Sequence, residues 1–291
     1  MTQHMTESTP LGGTERTLAT MRARHAVRVY TDEPVTEETL AALRAEIETI
    51  NAASGLDFQM TAGLPDAFMG LKTHYGRFSG VHNAVALLGS DGTGRGDTLQ
   101  SLKDANGEPS SPEAAALQER VGYWGERLAL RMTELGLATS WAVLDGADGL
   151  DAADTWWTPR DNEALVWVLA FGHAARAGAK HRSKPMEKLT DVAEDAMPEW
   201  FRAGMEAAML APTSLSQQPF KVTLVETPAG GFNGDGENDG DHSDGGAASA
   251  DFLEPKADIV ALPGLFAHVG VGTAKWHFEA VAGAEHCAWR M

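Results

Sequence analysis

The sequence predicts an α+β protein made of two related halves that pack on each other as an intramolecular pseudo-dimer. Three observations carry this. Val121–Trp141 and Val269–Trp289 are segments of equal length, each opening on Val-Gly and closing on Trp. Phe58-Gln59-Met60-Thr61 follows one helical pattern as Phe220-Lys221-Val222-Thr223 follows another. Apolar runs of strand length, Ala84–Leu88 and Leu165–Phe171, alternate with stripes of helical period. Neither spacing fits a solenoid array.

The elements follow in chain order. Residues 1–15 are polar and Gly/Thr-rich and read as a disordered lead-in. Thr36 is a helix N-cap with Glu37 and Glu38 in the first turn, where the helix dipole favours acids. Leu40, Leu43, Ile47 and Ile50 then share one face. Residues 90–111 are rich in Gly, Ser and Asp and read as a loop. Ser111-Pro112 caps a long helix with a stripe of Leu117, Val121, Trp124, Leu128 and Leu135, and Gly136 is its stop. Another helix covers about Pro198–Leu210 and ends at Ala211-Pro212. The Gly/Asp-rich run over 229–250 reads as a surface loop. The expected division is a tail over 1–15, a first half over 16–185 and a second half over 186–291.

Composition narrows the function classes. The chain has 291 residues, 43% of them apolar, enough for a sizeable core. Its net charge is −18, and Lys and Arg are outnumbered 41 to 23. That balance argues against nucleic acid as a partner, because such binding draws its affinity from cations neutralising phosphates. The acidity reads as solubility. Cys287 is the one cysteine, so no intrachain disulfide is possible. No apolar run approaches the length of a membrane span and no leader pattern is seen, so no membrane association and a cytoplasmic location are expected.

Three segments carry chemistry. Arg22-Ala23-Arg24-His25-Ala26-Val27-Arg28 puts three arginines in a short stretch of an acidic chain, and Arg is a rigid fork suited to phosphate. Lys180-His181-Arg182-Ser183-Lys184 is a second basic cluster. Each reads equally as a solvated surface stretch when taken alone. The third is Ala211-Pro212-Thr213-Ser214-Leu215-Ser216-Gln217-Gln218-Pro219-Phe220, with hydroxyls and amides between prolines. It suits the polar edge of a heterocycle, and it also suits a plain helix-terminating turn.

Taken in order, these residues resemble the nitroreductase superfamily. Arg24-His25-Ala26-Val27-Arg28-x-Tyr30 with Pro34-Val35 resembles its R-[RH]-S-[VI]-R-x-[FY]…P-V opening. Gly136-Leu137-Ala138-Thr139-Ser140-Trp141 is similar to its G-L-G-T-x-W. Phe171-Gly172-His173 through Lys180–Arg182 is similar to its G-[YH]…K-x-R end, and Ala211–Phe220 to its A-P-S-x-x-N-x-Q-P-[WF]. In ordinary members the A-P-S segment ends the first helix. Here Asn51-Ala52-Ala53-Ser54-Gly55 holds that place and the signature lies in the second half, as in the compact subgroup of the superfamily.

The resemblance implies a nitroreductase-like fold, one FMN and a hydride passed from NADH or NADPH through flavin N5 to a small-molecule acceptor such as a nitroaromatic or quinone. It implies phosphate contacts from Arg24, His25, Arg28, Lys180 and Arg182, and ring contacts from Pro212, Thr213, Ser214, Ser216 and Gln218. It also implies a backbone amide near N5 from Leu144, Asp145 or Gly146. The family's dimer interface would be internal, giving a monomer or a further homodimer. Two positions depart from the pattern: Ala26 replaces a phosphate-binding Ser, and Ser216 an Asn. Loss of one hydroxyl hydrogen bond to a charged phosphate costs about 1.5–3 kcal/mol. A flavin-binding protein without turnover is therefore the alternative. No side chain is assigned as catalytic.

No metal site is expected. Asp235–Asp241 lacks the closing Glu of a calcium loop, since Gly246 stands there. His268, His277 and His286 are too far apart in sequence for paired ligands on one helix face. The tryptophans, among them Trp141 and Trp167, read as core or packing between halves.

Overall fold

The computed structural model describes residues 13–92, 107–147, 150–228 and 253–291. Residues 1–12 of the lead-in expected over 1–15, most of the 90–111 loop, and the acidic run with the Gly/Asp-rich loop lie outside the described residues; Thr14 and Glu15, expected in the lead-in, are helical.

Helix α1 (Thr14–Ala23) begins where the sequence pattern shows only a polar lead-in. Its N-cap, Gly13, offers no side chain, and Thr17, Thr20 and Met21 are what it buries. Met21 inserts between Leu130 and Ala207, so this helix is set by tertiary packing rather than by its own periodicity. Helix α2 (Glu37–Ser54) starts as its cap predicts: Thr36 Oγ1 accepts from Thr39 N at 3.3 Å. It ends at Gly55 in the left-handed region, φ 70°. Strands β1 (Asp57–Thr61) and β2 (Asn83–Gly89) follow, then the long helix α3 (Pro112–Glu134), capped by Ser111 Oγ accepting from Ala114 N at 3.1 Å. Strands β3 (Ala138–Ala142) and β4 (Ala164–Gly172) complete an antiparallel sheet of order β1-β2-β4-β3.

The two inner strands, β2 and β4, are buried along their whole length. Val85 and Leu87 face α2 and α3, while Ala84, Ala86 and Leu88 face a second layer with Tyr30, Phe68 and Trp157. A sheet covered on both faces reads as an unbroken apolar run, which is how these two strands are legible in the sequence.

The later elements repeat the earlier order without the last two strands: helix α4 (Glu199–Ala208), hairpin β5 (Phe220–Pro228) and β6 (Leu253–Ala261), and helix α5 (Ala267–Ala282). Phe201, Met205, Phe220, Val222, Ile259 and Phe278 form a core of their own.

Helices α3 and α5 cross at backbone contact. A Cβ on Gly122 would lie 2.2 Å from Val269 O, and one on Gly272 would lie 2.0 Å from Glu119 O. The contact is reciprocal, so Gly122 and Gly272 are equivalent, as in a two-fold interface. The sequence echo pairs Gly122 with Gly270 instead; backbone approach, not the Trp-to-Trp spacing, sets the register.

Candidate functional site

A cleft opens where the first half meets the turn after α4. From the first half it is lined by Arg24, Ala26, Arg28, Tyr75, Ser140, Trp141 and Trp167; from the second by Pro212, Thr213, Ser214, Leu215, Phe266, Val269, Gly270 and Thr273.

The cationic end is built from the chain leaving α1. Val27 N donates to Thr139 O at 3.0 Å, laying Ala26 along β3. Arg24 is buried, with Nε 3.3 Å from Glu126 Oε1 on α3. That spacing is an ion pair without hydrogen-bond geometry, and neither Nε nor Nη1 has a hydrogen-bond partner. Glu126 also accepts from Trp141 Nε1 at 3.2 Å and lies 3.0 Å from His277 Nε2, so its position is fixed from three sides. Arg28 is exposed, packs on Gly76 and places its guanidinium 5.9 Å from the Phe78 ring.

The second basic segment comes to the first. The imidazoles of His25 and His181 are 4.6 Å apart, and His181 Nε2 is 3.3 Å from Arg22 O. Gly178 permits this approach: a Cβ there would sit 2.6 Å from His25 Cβ. Burial, and after it the charges of Arg24 and His25, holds His181 below the usual histidine range.

The turn after α4 forms the opposite wall. Leu215, Ser216 and Gln218 all have positive φ, 53°, 55° and 43°, in a stretch without glycine. Gln218 holds the turn in place from inside. Its Oε1 accepts from Lys184 N at 2.7 Å and from Ser183 Oγ at 3.2 Å, and Nε2 donates to Met209 O at 2.9 Å. Thr213 Oγ1 accepts from Gln218 N at 2.9 Å, and Thr273 Oγ1 donates to Pro212 O at 2.8 Å, tying the turn to α5.

Of the sequence-predicted residues, Arg24, Ala26, Arg28, Pro212, Thr213 and Ser214 come together at the cleft. His25, Lys180 and Arg182 do not line it; His25 meets His181 instead, and Lys180 and Arg182 are exposed. Ser216 is exposed outside the lining, and Gln218 is buried within the turn as its strut. Leu144 packs in the second core layer, while Asp145 and Gly146 are exposed beside His74. Tyr75, Trp141, Trp167, Phe266, Gly270 and Thr273 line the cleft without having been singled out for it; no local pattern distinguishes a tryptophan facing a cleft from one in a core.

The polar groups left over say what the cleft suits. Arg24 Nη1 and Ser140 Oγ are buried donors without hydrogen-bond partners, and each costs about 1–3 kcal/mol unless something takes its hydrogen bond. An anion fits at the Arg24–Arg28 end, and a flat ring system fits against the aromatic wall.

A family model described as "Putative TM nitroreductase" matches residues 16–99 and 109–282. The chain belongs to this family. Its fold is therefore a nitroreductase fold with two related halves in one chain. Among solved structures, the chain is similar to a putative nitroreductase of Thermotoga maritima, at 13% identity over 97% of this chain and 88% of that one, TM-score 0.48. It is also similar to a nitroreductase family protein of Streptococcus pneumoniae, at 16% identity over 59% and 97%, TM-score 0.44. A third is a putative nitroreductase in complex with FMN from Desulfovibrio desulfuricans, at 19% identity over 62% and 98%, TM-score 0.42. No curated protein matches the chain. Among the described residues, no helix is long and apolar enough to cross a membrane, and no group of His, Cys, Asp or Glu is placed to hold a metal ion.

Proposed function

We propose that the chain is an FMN-dependent oxidoreductase that moves a hydride from NADH or NADPH to a small acceptor, a nitroaromatic or a quinone. The observation that carries this reading is the composite cleft, with Arg24 and Arg28 from one half facing the Pro212–Leu215 turn of the other. Its unpartnered buried donors match the polar groups of a phosphorylated heterocycle, and membership of the family supports the same assignment.

On this reading Arg24 and Arg28 hold the phosphate, with Lys180, Arg182 and His25 adding positive potential at the rim. Glu126 keeps the Arg24 guanidinium aimed at the cleft. Thr213 and Ser214 present hydroxyls to the ring edge, while Trp141, Trp167 and Phe266 exclude water from one side. The bound flavin supplies two-electron transfer, and the protein supplies position and electrostatics. The site is single because the equivalent turn of the first half, Asn51–Gly55, lacks the Pro-Thr-Ser run, and its one hydroxyl, Ser54 Oγ, is committed to Ile50 O. The protein acts as a monomer or as a homodimer of such chains, in the cytoplasm.

Purified protein reconstituted with FMN and mixed with NADH or NADPH tests this. Rapid bleaching of the flavin absorbance near ~450 nm is expected, followed by recovery on adding an acceptor. Failure to retain flavin sinks the proposal. One specific observation favours a second reading, a flavin binder without turnover: Ala26 lines the cationic end with no hydroxyl to give. Retained flavin that neither nicotinamide bleaches would select that reading.

A further inference from the structure

A continuous series of aromatic rings runs from the cleft lining outward to His74. Trp167 meets Phe266 edge-on at 5.1 Å, and Phe266 meets Tyr75 at 5.8 Å. His74 closes the series, 4.6 Å from Tyr75 and 5.9 Å from Phe266. The first three line the cleft. His74 is the one imidazole in the series, with a ring nitrogen on each side.

His74 is also held. Its backbone N donates to Val143 O at 2.9 Å, and Asp145 N donates to Lys72 O at 2.8 Å, so two loops are stitched together around it. Thr73 and Leu144 add a bridge between the same loops. His74 Nδ1 lies 3.0 Å from Asp145 Oδ1. A carboxylate at Nδ1 accepts a hydrogen bond from that nitrogen, which leaves Nε2, on the far side of the ring, to exchange a proton. The pair is partly exposed, 37% and 49%, so water resupplies the proton. Among the described residues, ionisable neighbours on the packed loops include Lys72, whose carbonyl accepts from Asp145 N, Tyr75, whose phenol burial and then Asp145 push up, and Arg28, which packs on Gly76.

We propose that His74 Nε2, positioned by Asp145, gives the proton that completes reduction of the acceptor. The inference rests on the flavin reading above. A quinone becomes a hydroquinone by taking one hydride and one proton. The hydride comes from the nicotinamide by way of the cofactor, which ends oxidised. The proton leaves Nε2 as its N–H bond breaks and an O–H bond forms on the acceptor, and neutral imidazole regains a proton from water. A nitro group takes the same hydride and proton to give a nitroso group and water. Without a donor, the product would be an anion left beside an apolar aromatic wall, which is costly.

The test uses His74→Gln and Asp145→Asn with 1,4-benzoquinone as acceptor. Side-chain nitrogen NMR of the flavin-free protein reads the His74 tautomer. Hydrogen on Nδ1 is expected in the parent protein, with that preference lost in Asp145→Asn; the other tautomer in the parent overturns the positioning role. In the reconstituted protein, single-turnover quinone reduction is expected to fall with rising pH. In His74→Gln it is expected to be about tenfold to a hundredfold slower at low pH and to lack that pH dependence. A His74→Gln profile matching the parent at every pH overturns the proposal. Flavin content and bleaching by NADH, read in the same samples, separate the two claims: their loss in the parent protein defeats the flavin reading and this inference with it, whereas their presence with an unchanged His74→Gln profile defeats this inference alone.

Discussion

Each half has a turn between a helix and the strand that follows, and the two turns are solved differently. After α2 the chain turns at Gly55, which takes the left-handed conformation at little cost. Asn51 closes that turn, with Nδ2 donating to Phe58 O at 3.1 Å and Phe58 N donating to Oδ1 at 2.8 Å. After α4 the chain has no glycine and places Leu215, Ser216 and Gln218 at positive φ, each a strain of about 1–3 kcal/mol. The relaxed turn lies outside the cleft described above. The strained one lines it, and Leu215 there is 61% exposed. Strain is kept where side chains must be presented, and buried ties from Gln218 and Thr273 hold it there.

The sharpest way to break this contrast is at the helix crossing that brings the strained turn over the first half. Gly272→Ala forces a Cβ against Glu119 O and is expected to cost about 3 kcal/mol or more by denaturant unfolding. The strut comes next. Gln218→Leu leaves the Lys184 N–H and the Met209 carbonyl without partners and is expected to cost about 3 kcal/mol. Asn51→Ala in the relaxed turn is expected to cost about half that, because Asn51 is half-buried whereas Gln218 is buried, so water reaches the vacated place more easily. Equal losses at the two sites would contradict the contrast.

Substitutions at the left-handed residues should have opposite signs. Gly55→Ala is expected to lower stability by about 1 kcal/mol, and Leu215→Gly to raise it by up to about 1 kcal/mol by releasing strain. Thermal melts of the two variants check this, and destabilisation by both would remove the argument from strain. The smallest effect is the pH dependence from His181. Its folded-state pKa lies below the unfolded value, so the folded protein disfavours the proton. This group's contribution is therefore retained at neutral pH and lost as pH falls below about 6.5, the unfolded histidine value. His181→Asn is expected to reduce the acid-side loss of melting temperature; an unchanged acid limb would contradict that assignment.

Much of the fold is legible in the sequence, for identifiable reasons. The caps at Thr36 and Ser111 act through one side-chain oxygen each, and the inner strands show as apolar runs because both faces are covered. Helix α1 is not legible, since docking of Met21 rather than an amphipathic stripe fixes it. The register of the pseudo-repeat is legible only to within a residue or two, because glycine contacts at Gly122 and Gly272 decide it. At the cleft, the arginines and the Pro-Thr-Ser turn are readable as local patterns. The aromatic wall is not: Tyr75, Trp167 and Phe266 come from separate parts of the chain and meet only after folding. Gln218 sits within a readable motif, yet its place inside the turn depends on Lys184 and Met209.

The proposed flavin site is one per chain, with an arginine end from one half and the strained turn from the other. Titrating flavin-free protein with FMN while following flavin fluorescence tests it directly, with Arg24→Ala/Arg28→Ala as the companion variant. A break at one FMN per chain is expected, with at least about tenfold weaker binding in the variant. A break at two per chain, no saturable binding, or equal affinity in the variant would contradict it.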